Sequence, residues 1–228
     1  MDNSFILSEE DLQAGYAENE GFKAPDSGLY PSTITAAYEI PSNSSESVSL
    51  EIAYETDDGK TGTQSIWYIG KNGLTTRVND KGQTVPTFGM VELQNVFAAC
   101  GVAPGDVMAS AGRATVKRYG KEEDVKIYEA LTGKRVILGL RKKMEDGYPD
   151  PSIEKEFTEV ELWANENGQS GEELNGKHNP KTIAVFEKII AKKPVVDRRK
   201  YSLAADVAMP ATEDTNAAAE AALGSWGS

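Results

Sequence analysis

From Tyr30 onward the chain alternates. Tyr30, Ser32, Ile34, Ala36, Tyr38 and Ile40 occupy even positions, largely one apolar face of a strand, until Pro41-Ser42-Asn43-Ser44 breaks it. A second strand is predicted over Val48 to Tyr54, with Val48, Leu50, Ile52 and Tyr54 inward and Ser49, Glu51 and Ala53 outward. Tyr38 and Tyr54 align with apolar neighbours and read as core. Asp57-Asp58-Gly59-Lys60 is a hairpin turn, because Asp-Gly supplies the positive φ that a tight turn needs. A third strand, Thr63 to Ile69, carries Ile66 and Tyr68 on one face and Ser65, Trp67 and Ile69 on the other. Gly70 to Gly82 reads as a polar loop.

The period then changes. Met90, Leu93, Val96 and Phe97 recur at helical spacing within Gly89 to Ala99, with Gly101 as terminator. Arg113 to Tyr119, Val125 to Leu131 and Arg135 to Lys143 return to strand alternation, and Phe157 to Trp163 adds a further strand. Pro180 to Lys192 fits an amphipathic helix through Ile183, Phe186, Ile189 and Ile190, ended by Pro194. The expectation is a mainly β protein in three parts: residues 1–26 an irregular acidic leader, 27–200 the folded domain, and 201–228 a disordered, Ala-rich acidic tail. Three strands, one helix and then more strands is the order of an OB-fold, a five-stranded Greek-key barrel with its helix between strands 3 and 4, here followed by a C-terminal helix. A sandwich or another small barrel satisfies the same pattern.

Charge alters this picture. The net charge is −12, which by itself argues against nucleic acid, but the distribution is uneven. Both ends are acidic. Between Gly112 and Lys143 lie ten bases (Arg113, Lys117, Arg118, Lys121, Lys126, Lys134, Arg135, Arg141, Lys142 and Lys143) against four acids. In strand parity, Arg113, Lys117 and Tyr119 share one face, Lys126 and Tyr128 another, and Arg141 and Lys143 a third. Trp67 lies opposite Ile66 and Tyr68, as an exposed platform would. Cations that track a backbone beside rings that stack on bases are what a single-strand binder requires. The expected assignment is Trp67, Tyr119 and Tyr128 for stacking, with Arg113, Lys117, Lys126, Arg141 and Lys143 for phosphates.

Other chemistry finds little support. There is no phosphate-binding glycine loop and no nucleophile elbow. His178 sits in a polar loop and Cys100 at the end of an apolar helix, so no catalytic residue is assigned and a non-enzymatic protein is expected. One cysteine and one histidine are too few for the usual zinc sites; the acidic pairs Asp57-Asp58 and Glu172-Glu173 read as solvated turns, and no metal or cofactor is expected. A lone cysteine, an acidic N-terminus and the lack of a long apolar run point to the cytoplasm.

The chain resembles the phage-encoded single-stranded DNA-binding proteins with an OB-fold. The resemblance rests on Gly28-Leu29-Tyr30, the Asp58-Gly59 hairpin, Thr132-Gly133-Lys134-Arg135-Val136, Glu159-Val160-Glu161-Leu162-Trp163, Gly168 to Glu173 and the basic Lys192 to Lys200, in that order. It covers roughly residues 28–200. It implies sequence-independent coating of single strands in replication or recombination, in the host cytoplasm. It further implies an acidic tail that recruits replication or recombination proteins. Here the tail acids are sparse and Trp226 is followed by Gly227-Ser228, so the tail contact would fall to Leu223 and Trp226. A homodimer is compatible with the sequence. The competing classes are a protein–protein adaptor or virion component on a β-barrel scaffold, and a nuclease with a carboxylate-held metal. RNA as ligand is a variant of the first reading.

Overall fold

The computed structural model describes residues 25–200 apart from 119, 120 and 149. The predicted leader up to Ala24 and the predicted tail fall outside the described residues. Three strands, β1 (Gly28–Pro41), β2 (Val48–Thr56) and β3 (Thr61–Ile69), form an antiparallel meander. Gly59, at φ 79°, makes the turn between β2 and β3, and the Thr56 hydroxyl accepts the Lys60 N–H across it at 2.9 Å.

The supposed loop after β3 holds two short strands instead. β4 (Thr76–Val78) and β5 (Thr84–Pro86) pair as a separate ribbon. Each has three residues, too few for alternation to show. Helix α1 (Phe88–Cys100) begins where the Thr87 side chain accepts the Met90 N–H, and ends at Gly101 in the left-handed conformation. A short α2 (Pro104–Ala109) follows. The next hairpin is β6 (Ala111–Arg118) with β7 (Lys121–Tyr128). Then come β8 (Arg135–Asp146), β9 (Glu154–Ala164), the single turn α3 (Gly171–Leu174), α4 (Ile183–Lys192) and β10 (Val195–Asp197). The strand β10, which pairs parallel with β8, carries no turn or alternation signal of its own.

The fold is mainly β, with one large, mostly antiparallel sheet of eight strands. Its hub is β1. One edge of β1 pairs with β2; the other pairs with β8 from Gly28 to Thr33 and meets β7 at Tyr38. Between Ile34 and Ala36 the β1–β2 register shifts at a bulge, and this corrects the single apolar face predicted for β1. An extra residue inverts the parity of everything beyond it. Ile34 and Ala37 therefore enter the main core under α1, whereas Ala36, Tyr38 and Ile40 enter a second apolar cluster on the opposite face. Val116 and Val125 of the β6–β7 hairpin fold over that face. Ser49, Glu51 and Ala53, expected to point to solvent, are buried there. Tyr38 and Tyr54 are core residues, as their neighbours imply; burial pushes the Tyr54 hydroxyl up to about 12.

The main core joins Leu50, Ile52 and Ile66 to Leu93, Val96 and Phe97 of α1 and to Val136, Leu138 and Leu140 of β8. The sheet curls until its ends approach. No ladder joins β3 to β9 among the described residues; the Gln64 side-chain oxygen accepts the Val160 N–H at 2.9 Å instead. A second register shift, at Gly139/Leu140, leaves Glu161 bulged out of the β8–β9 ladder.

Candidate nucleic-acid interface

At the rim of the main core a single carboxylate collects three donors. Tyr68 of β3 donates to Glu39 Oε1 at 2.7 Å, Tyr128 of β7 donates to the same oxygen, and Lys126 Nζ lies 3.2 Å from it. Burial alone would raise the Glu39 carboxyl, but the bonds from Tyr128, Tyr68 and Lys126 outweigh it and hold the group below its usual range. A lowered folded-state value means that this stabilisation is present above the ordinary carboxylate range and is lost as pH falls through the folded value. The urea midpoint of Glu39→Gln should therefore lie below that of the parent protein at pH 7. The gap should close as both are taken below pH of about 4; a gap that stays constant with pH would show that the charge of Glu39 contributes nothing.

This cluster corrects one stacking assignment. Tyr128 is 4% exposed and belongs to the main core, so no open ring face is presented. The hairpin expectation placed Tyr128 and Lys126 in a solvated strand, but Tyr128 is the last residue of β7, where the strand turns back against the core. Arg113 lies directly across the hairpin from Lys126, is exposed, and has no carboxylate partner among the described residues. The β6 backbone places Lys117 opposite Glu122, its side chain being outside the described residues, as is all of Tyr119.

Arg141 and Lys143 require correction as well. Lys143 is 3% exposed; it pairs with Glu159 and lies 3.4 Å from Glu161. Burial keeps its ammonium below the usual lysine range, with Glu161 opposing. Arg141 donates to Glu161 Oε2 at 3.3 Å and to the Lys193 carbonyl at 3.0 Å. β9 supplies these carboxylates by pairing beside β8, a long-range placement that strand parity does not reveal. Both cations are internal counter-ions rather than phosphate contacts.

Two rings stand in solvent where β3 meets α1. Trp67 is 51% exposed, as its parity predicts. Phe88, the first residue of α1, is 76% exposed, and the Arg77 guanidinium of β4 lies over one face of its ring at 4.0 Å. The two residues are held close in the chain fold: the Thr87 hydroxyl donates to the Tyr68 carbonyl at 2.8 Å, and Gly89 packs directly on the Trp67 backbone. Arg77 and Phe88 are not marked by the sequence pattern. The available signal is Thr87, a helix N-cap residue that puts the following aromatic on an exposed first turn.

Beside this junction a cleft of about 700 Å³ opens between the β4–β5 ribbon, α1, β9 and the segment around α3. Glu92 lies one helical turn beyond Phe88 on its wall. Burial raises the Glu92 carboxyl, while the neighbouring Trp163 indole and Lys181 pull it back. Across the cleft, Lys177 pairs with Glu172, and Lys181 donates to the Glu161 carbonyl at 3.2 Å. His178 is exposed nearby. Cys100 is buried, and burial pushes its thiol up to about 12, leaving little thiolate at neutral pH. Among the described residues no group of three or more His, Cys, Asp or Glu is placed to hold a metal ion, and no helix is long and apolar enough to cross a membrane. No protein-family model matches the chain, and none of the curated proteins searched matches it. Leu223 and Trp226, the expected tail contacts, lie outside the described residues.

Proposed function

We propose that this protein binds single-stranded DNA without reading its sequence, on a mainly β domain of OB type, and coats strands during phage replication or recombination. The observation that carries the reading is the pair of solvent-exposed rings at the β3–α1 junction. Trp67 and Phe88 lie open on adjoining elements with the Arg77 guanidinium against one of them, and rings beside cations are the stacking platform that single strands use. The hairpin supports it: Glu39 ties Lys126 of β7 to Tyr68 of β3, and the exposed Arg113 lies directly across the hairpin from Lys126. The stacking set becomes Trp67 and Phe88, and the phosphate set Arg113, Arg77 and Lys126, with Lys117 and Tyr119 retained from the sequence. Strand order also favours the OB reading, with a meander of three strands, a helix, and a first strand shared between β2 and β8. Docking of replication or recombination proteins through Leu223 and Trp226 belongs to the same proposal.

Fluorescence anisotropy with a labelled single strand, its duplex and an RNA copy, each across a salt series, tests it. Expected is a preference for the single strand over the duplex, with affinity falling linearly on a log–log salt plot. Trp67→Ala should weaken binding about 5- to 140-fold, the equivalent of about 1–3 kcal/mol, with an unchanged salt slope. Arg113→Ala should weaken all sequences alike and reduce the slope by about one. Absence of single-strand binding even at low salt would reject the proposal and put a protein–protein adaptor in its place.

A further inference from the structure

The cleft beside Phe88 is lined by a residue with a buried donor that lacks an acceptor. The buried Nε of Arg77 has no hydrogen-bond partner, whereas the Trp163 indole, 4% exposed, lies beside the Glu92 carboxylate. A buried donor left unpaired carries a desolvation penalty, so a cleft wall that holds one is complementary to a ligand that brings an acceptor. The other charges of the walls are engaged with one another: Lys143 with Glu159 and Glu161, Lys177 with Glu172. Arg77 has no carboxylate partner among the described residues, only the ring of Phe88. The volume of about 700 Å³ lies within the range of small-molecule sites, about 300–1,000 Å³.

We infer that this cleft is a nucleotide pocket, which draws one nucleotide out of the bound strand. The base stacks on the face of Phe88 that Arg77 leaves open. Its edge points along α1 toward Glu92, which accepts from a ring or exocyclic N–H, so that the Trp163 indole beside that carboxylate senses the bound base. The phosphate stays at the mouth with Arg77. Glu92 favours this orientation, since a carboxylate repels a phosphate from the deep end and attracts a base N–H. Every nucleobase presents a donor next to an acceptor on its pairing edge, so the pocket takes bases generally and is compatible with coating that ignores sequence. The inference deepens the single-strand reading and rests on it for its biological setting.

The test uses the full chain and free mononucleotides, so that it does not depend on strand coating. Trp67→Phe and Trp226→Phe assign two of the three indole N–H resonances, which leaves Trp163 as the third signal. Titration with dAMP or dCMP should shift the Trp163 resonance saturably, and inorganic phosphate alone should leave it in place. Phe88→Ala and Arg77→Gln should each weaken that binding by about tenfold or more, while Trp67→Ala should not change it. If the Trp163 signal ignores mononucleotides while oligonucleotides bind, the pocket is refuted and the coating reading stands. An equal shift with inorganic phosphate would also refute it, leaving a bare anion site. Mononucleotide binding with no affinity for any oligonucleotide would keep the pocket and remove the coating reading.

Discussion

Truncating Phe186 to alanine should cost about 3–5 kcal/mol of folding stability, among the largest losses available to a single substitution here. Phe186 is the one fully buried residue of α4; the rest of that helix is half-buried or exposed. Its ring stands over Gly139 of β8, with two ring carbons at 3.0 and 3.1 Å from where a Cβ on that glycine would be. The glycine and the ring form a complementary pair, and removing the ring leaves a void that the rigid β8–β9 ladder does not collapse to fill. Denaturant melts at neutral pH measure the loss. Amide exchange should show α4 losing protection before the sheet does, because no other buried side chain holds it. A loss below about 1 kcal/mol would mean that α4 is held by Ile189 and Ile190 instead.

The second large effect is expected at Gly89. A Cβ there would collide with the Trp67 carbonyl and lie 2.9 Å from the Tyr68 backbone nitrogen. Both obstacles are backbone, so neither rotates away, and Gly89→Ala must push α1 off β3. The expected cost is about 1–3 kcal/mol, the usual range for overpacking. The displacement also separates the two exposed rings, so DNA affinity should fall in Gly89→Ala although the residue touches no ligand. Gly105→Ala, where a Cβ meets nothing, is the control and should leave both properties unchanged. Normal stability together with normal affinity in Gly89→Ala would refute the rigid seating of α1.

Local order in this protein is legible wherever apolar spacing and turn chemistry agree. The Asp58-Gly59 turn, the α1 span with its Gly101 stop, the β8 alternation and the core roles of Tyr38 and Tyr54 all follow from neighbours in the chain. What was not legible comes from distant partners. The bulge at residue 35 redirects half of β1, and no residue type announces it. Burial of Glu51 depends on a hairpin some 65 to 75 positions later in the chain. For the candidate site, the exposure of Trp67 is legible because parity alone sets which way it faces, and that of Arg113 because it sits in an edge hairpin open to solvent. Arg141 and Lys143 misled because their counter-charges, Glu159 and Glu161, arrive on another strand. The contact of Phe88 with Arg77 is not legible because it joins a three-residue strand to a helix start across a loop.

The seam between β3 and β9 has a consequence for how the protein behaves among copies of itself. An unpaired strand edge is an invitation to add a neighbour's strand, and large β-sheets aggregate by this route. Here the Val160 N–H that would extend such an invitation is stoppered by the amide of Gln64, and Glu161 beside it bulges out of line. The closing device is thus also a guard against edge-to-edge association. It would let the chain remain a set of separate molecules at high local concentration.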